Sequence, residues 1–170
     1  LFLKESVDPN LVFIFDDSGS MGWRFMPDDL SGRAGNNYYY SSHVNKIYYD
    51  PSVTYTPPYK PDGSSRYPNS SYTNAWVNGF DQSEGTDDLR NDIRFDQIGS
   101  IEQGFYMQFN SSTSCDSNPR QNSCYTAVLL NNASAEEKQN YANWFSYYST
   151  RALAAKSGIT EAFFDLPENI

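Results

Sequence analysis

An α/β architecture is predicted by three features of this 170-residue chain. Residues 11–15, LVFIF, have the length and composition of a strand buried on both faces, and acidic, serine and glycine residues end the run abruptly. Residues 141–163 repeat aromatic and apolar side chains at steps of three and four, the period of a helix with one covered face. Between them, residues 105–109 and 125–130 are two strand candidates flanking a polar loop, which reads as an antiparallel hairpin.

The first strand leads into the loop DDSGSMG. There Asp16, Ser18 and Ser20 follow the spacing D-x-S-x-S, placing one carboxylate and two hydroxyls on alternate positions of a tight turn. Hard divalent cations take oxygen ligands and magnesium keeps several waters, so a few protein oxygens suffice for a site. Magnesium is the first expectation, with calcium or manganese as alternatives, and one position is left for a carboxylate from a partner. The same spacing also serves a plain polar loop that closes a buried strand, because short polar motifs arise by chance.

Residues 23–104 show neither sustained period, and Pro27, Pro51, Pro57, Pro58, Pro61 and Pro68 exclude long helices and central strands. Nine of the fourteen tyrosines fall between Tyr38 and Tyr72, among Pro, Ser and Asn. A loop this long stays ordered only if its side chains pack, so a tyrosine lid over the core is expected rather than an adhesive surface. The acidic stretch 81–96 lacks the glycine that an EF-hand loop needs at its sixth position and reads as a solvated acidic face.

Cys115 and Cys124 are the two cysteines, both in the polar loop between the strand candidates. They are too few for a structural zinc site, and the single histidine, His43, is remote in sequence. A local disulfide formed in an oxidising compartment is expected over free thiols, its ring of about ten residues adding about 2 to 3 kcal/mol to the hairpin. Beyond it, Ser134 and Glu137 make a capping box. The stripe Tyr141, Trp144, Phe145, Tyr148, Ala152, Ala155, Ile159, Ala162 and Phe163 then predicts one continuous helix ending near Asp165, ahead of Pro167.

A net charge of -9 and a pI near 4.4 disfavour nucleic acid and anionic membranes as partners. No apolar run approaches the roughly 20 residues of a membrane helix, so no membrane span is expected. No basic segment followed by an apolar stretch opens the chain, so any export signal is expected to have been removed already. Two enzyme readings fail. Asp17, Ser18 and Gly19 have the form of an aspartic protease loop, which needs a second such loop or a homodimer; there is no second loop, and the capped helix has no place in that fold. A haloacid-dehalogenase phosphatase would want an acid where Ser18 stands. A non-enzymatic protein is expected.

The loop resembles the metal-ion-dependent adhesion site of von Willebrand factor type A domains, whose first strand ends in D-x-S-G-S. Residues 45–59, NKIYYDPSVTYTPPY, and 141–163, YANWFSYYSTRALAAKSGITEAF, are similar to the N-terminal region of PilC/PilY type IV pilus tip proteins. The resemblance covers most of the chain, with variable segments between the matching blocks. It implies a von Willebrand A (Rossmann-like) domain of which residues 1–170 carry the first strand and first long helix. Residues 23–133 would be a loop-rich insertion containing the hairpin. It further implies a pilus tip adhesin and assembly factor, exported through the periplasm to the bacterial surface, with minor pilins and a host-cell or surface ligand as partners. A pilus-biogenesis scaffold without metal-dependent binding is the alternative. In that family a threonine and an aspartate from later loops complete the metal site, and neither is assignable before Ile170. The family's β-propeller is not expected in these residues, and the companion strands that a parallel sheet needs are expected from the rest of the parent chain or from another polypeptide, so the segment is expected not to fold by itself.

Overall fold

The structure, a computed structural model, describes residues 14–91, 93 and 98–164. The proline-rich part of the chain forms short 3-10 turns at Gly19–Gly22, Asp28–Leu30 and Asn37–Tyr40, joined by irregular backbone. A two-residue strand β1 (Ala75–Trp76) pairs antiparallel with β2 (Thr86–Asp87). The hairpin follows as expected: β3 (Phe105–Phe109) and β4 (Tyr125–Leu129) are antiparallel, in register from Phe105 opposite Leu129 to Phe109 opposite Tyr125.

The hairpin loop carries a single-turn helix α1 (Thr113–Ser117), whose N-cap Ser112 accepts a hydrogen bond from the Cys115 N–H. Cys115 and Cys124 are bonded to each other across 5.7 Å between Cα atoms, in the ordinary range for a disulfide, and both are buried. The predicted staple therefore ties α1 to the start of β4.

Two helices close the fold, α2 (Ala135–Tyr147) and α3 (Arg151–Phe164). The Ser134 hydroxyl accepts from the Glu137 N–H at 3.2 Å, which is the N-cap half of the predicted capping box. The single continuous helix does not form. The chain leaves helical geometry at Tyr148, and side chains take over the backbone's roles at the break. Ser149 Oγ donates to the Phe145 carbonyl and Ser157 Oγ to that of Tyr147, while Thr150 Oγ1 accepts from the Leu153 N–H as the cap of α3. The stripe is altered accordingly: α3 buries Leu153 and Ser157, whereas Phe163 lies exposed. Helical order extends to Phe164, and Asp165 and Pro167 lie outside the described residues.

The α2 helix is buried all round from residue 141 to 147. Trp144 sits at its centre, with the rings of Tyr48, Tyr49 and Tyr141 at 5.0, 5.9 and 5.0 Å. Its indole N–H donates to the Ile47 carbonyl at 3.0 Å. Tyr38, Tyr39, Tyr40, Tyr48, Tyr49 and Tyr72 are buried, so the tyrosine-rich stretch forms a packed lid, as expected. The Tyr48 hydroxyl reaches across to the Phe105 carbonyl and links lid to hairpin.

Residues 11–13 of the expected first strand lie outside the described residues. Ile14 and Phe15 are irregular rather than extended in a ladder, and Ile14 is 89% exposed, against the expected burial. Among the described residues both sheets are two-stranded antiparallel pairs, and neither includes Ile14 or Phe15. The expected parallel sheet is likewise not what holds these residues together; lid, hairpin and α2 share one hydrophobic cluster. The acidic stretch is corrected at Asp87, which is buried beside β1.

Gly79 shows how tightly the lid meets α2. Its N–H donates to the Ser146 carbonyl at 2.8 Å, and an added Cβ would overlap the Tyr147 ring, which is buried and held by its hydroxyl to Pro68. Gly158, inside α3, faces open space. Gly79→Ala should therefore lower stability by about 1 to 3 kcal/mol, and Gly158→Ala should raise it by up to about 1 kcal/mol. Urea unfolding midpoints of the two variants would move in opposite directions.

Candidate functional site

The loop after residue 15 is built from its own side chains. Asp16 Oδ1 accepts from the Ser18 N–H at 2.8 Å and Oδ2 accepts from the Ser18 hydroxyl at 3.1 Å. Ser18 is the N-cap residue of the 3-10 turn Gly19–Gly22, and its carbonyl takes the Met21 N–H. That turn brings the Ser20 hydroxyl to 3.0 Å from that of Ser18. The three residues singled out by spacing thus form one connected set of side-chain oxygens, with Asp16 and Ser18 exposed and Ser20 half-buried.

Part of this geometry is ordinary turn chemistry. Asp50 with Ser52, Asp62 with Ser64, and Asp81 with Ser83 fold the same way, each carboxylate accepting from the serine N–H and hydroxyl two residues on. In those three both bonds go to one carboxylate oxygen. At Asp16 the two bonds are shared between both oxygens, and Ser20 adds a further hydroxyl. Ser20, not the D-x-S triplet, sets the loop apart.

The Ser18 N–H, and then the Ser18 hydroxyl, hold the Asp16 carboxyl below its ordinary titration range, so it carries full charge at neutral pH. One ionised carboxylate with two hydroxyls is a hard-oxygen donor set that fits magnesium in chemistry. Each serine oxygen can turn a lone pair outward by rotating about its own Cβ–Oγ bond. Among the described residues no three His, Cys, Asp or Glu side chains come together, so the loop offers mainly neutral oxygens around one charge.

The loop is seated by residues that sequence reasoning did not single out. The Arg151 N–H donates to the Trp23 carbonyl and the Arg151 Nε to the Phe25 carbonyl, both just downstream of Gly22. Ser149 and Thr150, a hydroxyl pair in the middle of an apolar period, are the signal that could have located this helix start.

Two other concave regions lie apart from the loop's three oxygens. A groove of about 790 Å³ beside the start of α2 is lined by Tyr55, Glu136, Gln139 and Asn140 among others. The amides of Gln139 and Asn140 are already engaged by the lid backbone at Ser70, Val53 and Tyr55. An apolar hollow of about 410 Å³ lies between Phe15, Tyr59, Tyr67, Phe80 and Ile159. No helix of the described residues is long and apolar enough to cross a membrane.

A disulfide-stapled, aromatic-rich fold that displays an oxygen-donor loop is the class that the described residues define. No family model matches the chain, and no solved structure matches it. Three curated relatives do, each a type IV pilus biogenesis factor PilY1 from Pseudomonas aeruginosa. The protein of strain PAO1 is 36% identical over 99% of the chain, that of UCBPP-PA14 37% over all of it, and that of PAK 36% over 99%. The chain belongs to the PilC/PilY family. It spans 15 to 16% of the length of these relatives.

Because the folded-state titration of Asp16 is depressed, the charged loop is complete at neutral pH and is lost only as pH falls below the ordinary aspartate value of about 3.8. A carbon NMR titration should show the Asp16 carboxyl inflecting below that value. In Ser18→Ala, which removes the hydroxyl donor, the inflection should move upward.

Proposed function

We propose that the chain is part of a type IV pilus tip adhesin and assembly factor, in which Asp16, Ser18 and Ser20 supply the first portion of a divalent-cation adhesion site. The convergence of these three side chains in a member of the PilC/PilY family is the observation that carries the reading. The site would belong to a von Willebrand A-like domain, with residues 23–133 as its insertion, non-enzymatic and displayed at the bacterial surface. Bound there, magnesium would supply a Lewis-acid position for a carboxylate of the surface ligand. Asp16 contributes the charge, while Ser18 and Ser20 contribute neutral oxygens and fix the turn. A threonine and an aspartate from elsewhere in the parent protein would complete the set. Minor pilins and a host-cell or surface ligand are the proposed partners.

The recurrence of the D-x-S turn at Asp50, Asp62 and Asp81 favours a second reading, a pilus-biogenesis scaffold in which the loop is structural and binds no metal. Calorimetry on the full-length protein separates the two. Asp16→Ala should abolish the binding of magnesium to this site and leave helix content by circular dichroism unchanged, because Asp16 is exposed and outside the core. Asp17→Ala should bind as the wild type does. Undiminished affinity in Asp16→Ala, or loss in Asp17→Ala alone, would overturn the ligand assignment.

A further inference from the structure

The break between α2 and α3 gives the chain a helix start that an uninterrupted helix would not have. The first N–H groups of any helix lack intrahelical acceptors. Arg151 is the first residue of α3, behind its cap Thr150, and its N–H is spent on the Trp23 carbonyl at 3.1 Å. Trp23 is the residue that ends the 3-10 turn of the candidate metal loop.

The Arg151 side chain engages the same segment. Its Nε donates to the Phe25 carbonyl at 2.9 Å, and its terminal nitrogen pairs with Asp28 at 2.5 Å. The guanidinium lies 5.0 Å from the Trp23 ring and 5.4 Å from the Phe25 ring, which are stacked on each other at 5.0 Å. The arginine is largely enclosed although Asp28 is open to solvent. Four kinds of contact from one residue therefore converge on the segment that carries the loop out of its turn: a main-chain bond, a side-chain bond, an ion pair and ring stacking. The last two alone would count for little at an exposed site. The two bonds to successive odd-numbered carbonyls fix the direction of the backbone, which rings and charge cannot do.

The geometry points to Arg151 as the positioning residue of the metal loop, seating Ser18 and Ser20 against the start of α3. As an account of metal affinity this rests on the reading proposed above; as an account of loop order it does not. Arg151 touches none of the three ligand oxygens, so it acts through Trp23 and Phe25. Outer residues of this kind commonly change metal affinity by about ten- to a hundredfold.

The test uses the full-length protein with magnesium chloride as the probe, and reads both magnesium affinity and amide hydrogen exchange. The N–H groups of Met21 and Trp23 are bonded to the Ser18 and Ser20 carbonyls, so their exchange reports the order of the turn. Arg151→Met keeps the aliphatic length and removes every side-chain donor. It should speed exchange at Met21 and Trp23 by about tenfold or more, leave the hairpin amides of Tyr106 and Gln108 unchanged, and weaken magnesium binding by about tenfold. Arg151→Lys, the second variant, keeps a charge for Asp28 and loses the Nε donor to Phe25; it should show the same pattern in smaller measure. Unchanged loop exchange in both variants would overturn the positioning role, whatever the metal data. Faster loop exchange in a protein whose wild type binds no magnesium would keep that role and remove the metal reading instead.

Discussion

The described residues of 23–104 have almost no ladder, yet their backbone N–H and C=O groups must still find partners; turns supply many of them, and α2 supplies those that join the stretch to the helix. Asn140 accepts from the Tyr55 N–H at 2.7 Å and donates to the Val53 carbonyl at 2.7 Å. Asn143 accepts from the Ser70 N–H and donates to the Tyr55 carbonyl, each at 2.9 Å. One helix face thus does for the lid what a neighbouring strand does in a sheet. Each such bond contributes about 1 kcal/mol net, but a buried partner left alone costs more than that, so the amides are more constraining than their individual worth suggests. Trp144 combines both roles, filling the centre and taking the Ile47 carbonyl.

What was legible in the sequence was local. The hairpin was readable because two short strand candidates, the turn-rich loop between them and two cysteines nine positions apart all act within one short stretch. The start of α2 was readable for the same reason, since Ser134 and Glu137 are neighbours on the first turn. The burial of the lid tyrosines followed from a general constraint on long ordered loops rather than from any one residue. The amide network was not legible, because Asn143 meets Ser70 and Tyr55 across 73 and 88 positions and no periodicity marks such a pair. The helix break was missed for a different reason. Apolar steps of three and four continue through residues 148–150, and the period outweighed the Ser149–Thr150 pair whose side chains end one helix and cap the next. The strands β1 and β2, two residues each, are too short to carry a period at all.

The candidate site divides along the same line. Asp16, Ser18 and Ser20 were found by spacing and come together because all three lie within a single turn, whose geometry their own side chains enforce. Spacing could not show that the Asp-Ser half of that motif is common turn chemistry in this chain, nor that Ser20 is what distinguishes it. Nor could it reach Arg151, which meets Phe25 across 126 positions. A short motif brings side-chain oxygens together; the residues that hold such a turn in place are chosen by the fold.

The two ends of the break tie the loop back to the core. On the α2 side, the Ser146 carbonyl receives the Gly79 N–H and the Tyr147 carbonyl receives the Ser157 hydroxyl, so the last turn of α2 is bonded both to the lid and to α3. On the α3 side, the cap at Thr150 fixes the helix start whose next N–H holds Trp23. The path from the buried Trp144 to the exposed oxygens therefore runs through main-chain bonds and the short hydroxyls of Ser157 and Thr150, with the Arg151 side chain adding its bond to Phe25. A site that holds a cation with few protein oxygens depends on placing them within a fraction of an ångström. An exposed loop of glycine and serine has little packing of its own with which to do so. The segment that follows the turn adds to what the loop's own side chains enforce, and here that segment is anchored to a helix start created where a longer helix gives way.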